Sequence, residues 1–106
     1  MNWRTLNGDL IEVPLIEKVE ETILREKELG NKLKLCVGTD SRVVGKIVEF
    51  ATVIVFVREG RGGFMYVHSS QEEAKMSLNQ RMIAEVSKSI EIAYSLCDLL
   101  DKYHLS

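Results

Sequence analysis

From Leu33 to Arg42 the chain alternates apolar and polar positions, with Leu33, Leu35 and Val37 set against Lys34, Cys36 and Gly38. A period of two predicts a strand with one face packed on a core. Ser41 to Lys46, with one glycine and two basic residues, predicts a hairpin connection. Ile47 to Arg58 is apolar on both sides, with Val48, Phe50, Thr52, Ile54 and Phe56 on one face and Ile47, Ala51, Val53, Val55 and Val57 on the other. Such a run predicts a central strand covered on both faces. Glu59-Gly60-Arg61-Gly62-Gly63 then predicts a flexible turn into a third strand, Phe64 to His68. Its glycine spacing does not suit a phosphate-cradling loop, which would have to open a helix.

Helical patterns flank these strands. Pro14 suits a first helical turn, and Leu15, Ile16, Val19, Ile23 and Leu24 then recur at three- and four-residue steps until Gly30, which predicts a left-handed cap. The run Arg25-Glu26-Lys27-Glu28 reads as a solvated helix face, and Trp3 to Val13 as a lead-in segment containing an Asn7-Gly8-Asp9 turn. Two capping-box spacings compete for the start of the last helix, Ser70 with Glu73 and Ser77 with Gln80; Ser77 is preferred, with about a turn of helix before it. Met82, Val86, Ile90, Ala93, Cys97 and Leu100 make a continuous stripe along this helix. With Val86 at its centre, Glu85 falls about 100° to one side, at the margin of the packed face. The expected fold is α/β in composition and α+β in arrangement: a helix, a three-stranded antiparallel sheet and a long helix, in a single domain over residues 1–106.

Composition narrows the setting. A chain of 106 residues with 45% apolar and 28% charged residues is globular in type. No apolar run approaches the roughly 20 residues that span a bilayer, and Met1 to Arg4 leads into no signal-like block, so a cytoplasmic protein without membrane contact is expected. Cys36 and Cys97 sit among apolar neighbours and are expected as reduced, buried thiols. A net charge of −2 gives no global attraction to nucleic acid, so any such binding needs a local patch.

Asp40 is the first candidate for chemistry. A carboxylate at the exit of an apolar strand, beside Gly38, is a rigid support for a metal or phosphate, although Asp-Ser before a basic segment is also ordinary turn chemistry. Glu85 is the second, with pairing to Arg81 or Lys88 as its plainer use. If the last helix crosses the sheet near the end of the first strand, the two acids meet, and hard cations such as Mg²⁺ or Mn²⁺ favour oxygen ligands of this kind.

Val37-Gly38-Thr39-Asp40-Ser41-Arg42, Phe50-Ala51-Thr52-Val53-Ile54-Val55, and Ser77 through Val86 with Ser89-Ile90-Glu91-Ile92-Ala93 resemble, in order and spacing, the YkuK-like family of ribonuclease-H-like proteins. The resemblance runs from the first helix through Tyr103. It implies the ribonuclease-H-like α/β fold, with acids at the end of the first strand and on the first helix after the hairpins, the positions held by Asp40 and Glu85. It further implies metal-dependent hydrolysis of nucleic-acid phosphodiesters, with Asp40 and Glu85 as catalytic and Mg²⁺- or Mn²⁺-binding residues. Arg42, Lys46, Arg58 and Arg61 are candidates for phosphate contact and His68 for proton transfer. That fold also draws a further carboxylate from a later strand, which this sequence does not supply. The edge of Leu33 to Thr39 is therefore expected to be unpaired and to recruit a partner, giving a homo-oligomer. The competing reading is a non-enzymatic module that associates with itself or with another protein. A third, nucleotide binding by Gly38-Thr39-Asp40-Ser41, rests on a thin glycine pattern.

Overall fold

The computed structural model describes residues 2–73 and 76–105. Its elements run β1 (Trp3–Thr5), α1 (Leu15–Glu28), β2 (Leu33–Val44), β3 (Ile47–Arg58), β4 (Gly62–Glu72) and α2 (Leu78–Lys102). The strands form one antiparallel sheet in the order β1-β4-β3-β2, the expected α+β arrangement with one strand more than the pattern predicted. Trp3–Thr5 does not lead in across the domain. It pairs with β4, Trp3 opposite His68, and Trp3 is buried.

The β2–β3 hairpin is longer and tighter than expected. Pairing runs from Leu33↔Arg58 to Val44↔Ile47, leaving only Gly45 and Lys46 in the turn. Gly45 has φ +62°, the first-position glycine that matches a two-residue turn to the twist of its strands. Asp40 consequently sits inside the strand rather than at its exit. β4 likewise extends past His68 to Glu72, so Ser70 lies in a strand and does not cap a helix. At the other hairpin Gly63 is obligatory, because a Cβ there would stand 2.6 Å from the Phe56 carbonyl oxygen.

Both helices lie on one face of the sheet. Val19 and Ile23 of α1 join Ile92, Leu96 and Leu99 of α2 over Leu35, Ile54, Phe56 and Tyr66. The inward residues of β3, Val48, Phe50, Thr52, Ile54 and Phe56, are all buried, whereas Ala51 and Val57 on the opposite face are exposed. The expectation that both faces of β3 are covered is thus met on one face only. α2 starts at Ser77 with a complete capping box, Ser77 and Gln80 each bonding the other's backbone N–H. The turn of helix expected before it falls largely on residues 74–75, outside the described residues.

Three further expectations are corrected. The stripe of α2 that faces the sheet is Glu85, Ser89, Ile92, Leu96 and Leu99, about 100° round from the predicted one, and Met82, Val86 and Ile90 are 54%, 57% and 60% exposed. Apolar residues on α2 exceed what one face can bury, so hydrophobicity alone did not identify the packed side. Cys36 and Cys97 are exposed: Cys36 is on the uncovered face of β2 and Cys97 is on the outer flank of α2. Glu26 is not solvated but fully buried, because α1 lays it against the end of β3, where Arg58 Nε donates to it at 2.5 Å and Asn31 Nδ2 at 2.9 Å.

Candidate functional site

Alternation along β2 decides what Asp40 and Glu85 can do together. Successive side chains on a strand point to opposite faces. Thr39 and Ser41 face α2: Ser89 Oγ donates to Thr39 Oγ1 at 2.8 Å, and the Ser41 hydroxyl donates to the Glu85 carboxylate. Asp40 lies between them and so projects from the other face. There it is exposed, pairs in register with Ala51, and accepts the backbone N–H of Ser41 at 2.9 Å.

On the helix side the contacts form a polar seam. Arg81 donates from Nε to Ser41 Oγ at 3.2 Å and from an η nitrogen to the Ser41 carbonyl at 2.9 Å. Thr39 Oγ1 donates in turn to Thr52 Oγ1 at 3.2 Å. Lys88 turns toward the sheet interior, bonding Glu72 at 3.0 Å and lying 4.6 Å above the Phe50 ring centroid. Glu85 therefore pairs with neither Arg81 nor Lys88; it and Arg81 converge on Ser41. Half-buried and directional, this seam ties α2 to β2 and fixes how the helix is rotated about its axis.

On the open face Asp40 borders a cavity of about 420 Å³ with Arg42, Glu49, Ser69 and Gln71. Glu49 is taken up by Arg42 Nε at 2.7 Å and by Gln71 Nε2 at 3.2 Å. The backbone of β2 stands between Asp40 and Glu85, so one Mg²⁺ or Mn²⁺ does not reach both in this arrangement. Among the described residues no group of three or more His, Cys, Asp and Glu side chains is placed to hold a metal ion.

The basic candidates separate as well. Arg42 and Lys46 lie toward one end of the β2–β3 hairpin and Arg58 and Arg61 at the other, roughly 30–40 Å apart at about 3.3 Å per residue. Arg42 is held by Glu49, and Lys46 and Arg61 are exposed in turns. Arg58 is committed to Glu26 and stacks 4.6 Å above the Phe64 ring centroid. His68 Nδ1 lies 2.7 Å from the Asn2 carbonyl oxygen, and its ring packs on Trp3, so it belongs to the anchoring of β1. A cavity of about 640 Å³ lies at the start of β2 among Ile23, Lys27, Lys32, Leu33 and Tyr103, away from both acids.

The pattern singled out neither Ser41 nor Arg81 for the role they take here. Their signal was present in the strand itself: continuing Leu33, Leu35, Val37 by twos gives Thr39 and Ser41 on the covered face and leaves Asp40 with Lys34, Cys36 and Gly38.

No helix among the described residues is long and apolar enough to cross a membrane. No curated protein and no solved structure matched the chain. A family model described as Ribonuclease H-like matches residues 15–106, from α1 through the three long strands to the end of α2. That match takes in most of the chain, and the chain belongs to the ribonuclease H-like family.

Proposed function

We propose that this chain is a self-associating module of the ribonuclease H-like fold, with a YkuK-like sequence, in which Glu85 anchors α2 rather than serving a metal site shared with Asp40. One observation carries the reading: Met82, Val86 and Ile90 of α2 stand exposed along the flank that borders the unpaired edge of β2. An apolar flank beside a free strand edge is a surface built for another chain. Sedimentation of the chain at rising concentration is expected to show a dimer or a longer assembly, and a clean monomer at high concentration overturns the proposal.

Family membership favours a second reading, Mg²⁺- or Mn²⁺-dependent phosphodiester hydrolysis by Asp40 and Glu85 with nucleic acid as substrate. It requires Asp40 to reach the helix side of the sheet, as a one-residue shift of β2 against β3 would allow. Mn²⁺-dependent cleavage of labelled RNA, DNA and hybrid duplexes separates the two. The module predicts equal, background cleavage by wild type and Asp40→Asn. Cleavage abolished by both Asp40→Asn and Glu85→Gln would establish the second reading.

A further inference from the structure

Among the described residues β2 is an edge strand of twelve residues with no neighbour on one side, and α2 runs antiparallel above it, Glu85 over Ser41 and Ser89 over Thr39. Between them lies a groove of about 250 Å³ lined by Leu35 and Val37 of the strand and by Ile90, Ala93, Leu96 and Leu100 of the helix. Lys88 marks the inner flank of α2, since it reaches Glu72 on β4; Met82, Val86, Ile90, Ala93 and Cys97 lie on the other flank, toward the free edge. Strand edge and helix flank thus form one surface.

The charges on β2 say which occupant fits. Opposed residues of antiparallel strands point to the same face, so a second copy related by a two-fold axis must pair odd positions with odd and even with even. An axis at Val37 sets Lys34 opposite Asp40 twice, once on each side, with Leu35 opposite Thr39 and Cys36 opposite Gly38. An axis at Gly38 instead sets Lys34 against Arg42 twice, and one at Thr39 forms no ion pair. An axis at Cys36 opposes Asp40 to Lys32, which lies outside the strand, and shortens the ladder. An axis at Ser41 also opposes Asp40 to Arg42 twice, but Arg42 is already held by Glu49 and the ladder then covers only residues 38–44; the Val37 axis matches opposite charges on both sides over the longer ladder, residues 33–41.

We infer that two copies of this chain join β2 to β2 about a two-fold axis at Val37, extending the sheet across the dimer, with the outer flanks of the two α2 helices packed together over the join. This deepens, and rests on, the self-association proposed above. Because α2 runs antiparallel to β2, Ala93 comes near the axis, where a small side chain permits close helix approach. Asp40 thereby gains a role on the open face that requires no metal.

The test is a charge swap read by analytical ultracentrifugation, with circular dichroism confirming that each variant folds. Lys34→Asp and Asp40→Lys, each alone, place like charges opposite one another at two sites and are expected to weaken dimerisation about tenfold or more. Mixing the two single variants restores opposite charges at both sites, so a heterodimer of wild-type affinity is expected, as is a restored homodimer for the double variant. Ile90→Glu, at an exposed position, is expected to weaken association without loss of fold. A wild-type dimer that both single variants match overturns the register while leaving self-association standing. A monomeric wild type overturns both.

Discussion

The two ends of the contact between α2 and the sheet are built from different chemistry. Toward the end of the helix, Leu96 and Leu99 meet Leu35, Ile54 and Phe56 in a dry core. Toward its start, Glu85, Arg81 and Ser89 meet Ser41 and Thr39 through hydrogen bonds. Apolar burial is non-directional, and α2 carries two apolar stripes, so the dry end holds the helix down without dictating which stripe faces inward. Hydrogen bonds have fixed geometry and do dictate it. The fold's stability and the orientation of α2 therefore have separate origins along one interface.

Breaking the dry end has the largest effect. Phe56 is fully buried, stacked at 4.8 Å on Phe64 and edge-on at 5.0 Å to Tyr66, so Phe56→Ala is expected to cost about 3–5 kcal/mol by denaturant titration. The buried ion pair at the same end comes next, and its two halves are unequal. Arg58→Met strands the fully buried Glu26 carboxylate and is expected to cost about 3 kcal/mol, whereas Glu26→Gln leaves a part-exposed Arg58 that can turn to water and costs less.

The pair also sets a pH dependence. Burial pushes the Glu26 carboxyl up, but the hydrogen bonds from Asn31 and Arg58 and the Arg58 charge outweigh it, so Glu26 sits below its ordinary value. A lowered folded-state value contributes stability that is present above the ordinary carboxylate range and is lost as pH falls through the folded value. The melting temperature is therefore expected to decline on acidification below about pH 4, with a flatter decline in Glu26→Gln.

Sequence reading succeeded where one force dominated. The alternation of β2 and β3, the Ser77 capping box and Gly30 at positive φ after α1 all follow from local rules and stand in the structure. It failed where two groups of similar hydropathy competed. Met82, Val86 and Ile90 made a more continuous stripe than Ile92, Leu96 and Leu99, yet the polar partners on β2 selected the latter. Glu26 looked like one charge in a solvated run because its partner, Arg58, lies 32 residues further along the chain. Asp40 drew attention as a carboxylate at a strand exit, whereas the hairpin proved to continue to Val44. Its face was nevertheless written in the alternation of β2.

The smallest effects lie at the polar seam, where Ser41→Ala and Glu85→Gln are each expected to cost about 1 kcal/mol. The most direct measurement of the arrangement is a pair of double-mutant cycles at this seam, run with and without Mn²⁺. Ser41→Ala and Glu85→Gln share a hydrogen bond and are expected to couple by about 0.5–1.5 kcal/mol, while Asp40→Asn and Glu85→Gln, on opposite faces, are expected to add within about 0.5 kcal/mol in either condition. Coupling between Asp40 and Glu85 that appears on addition of Mn²⁺, with none between Ser41 and Glu85, would contradict the placement of the two acids on opposite faces of the sheet.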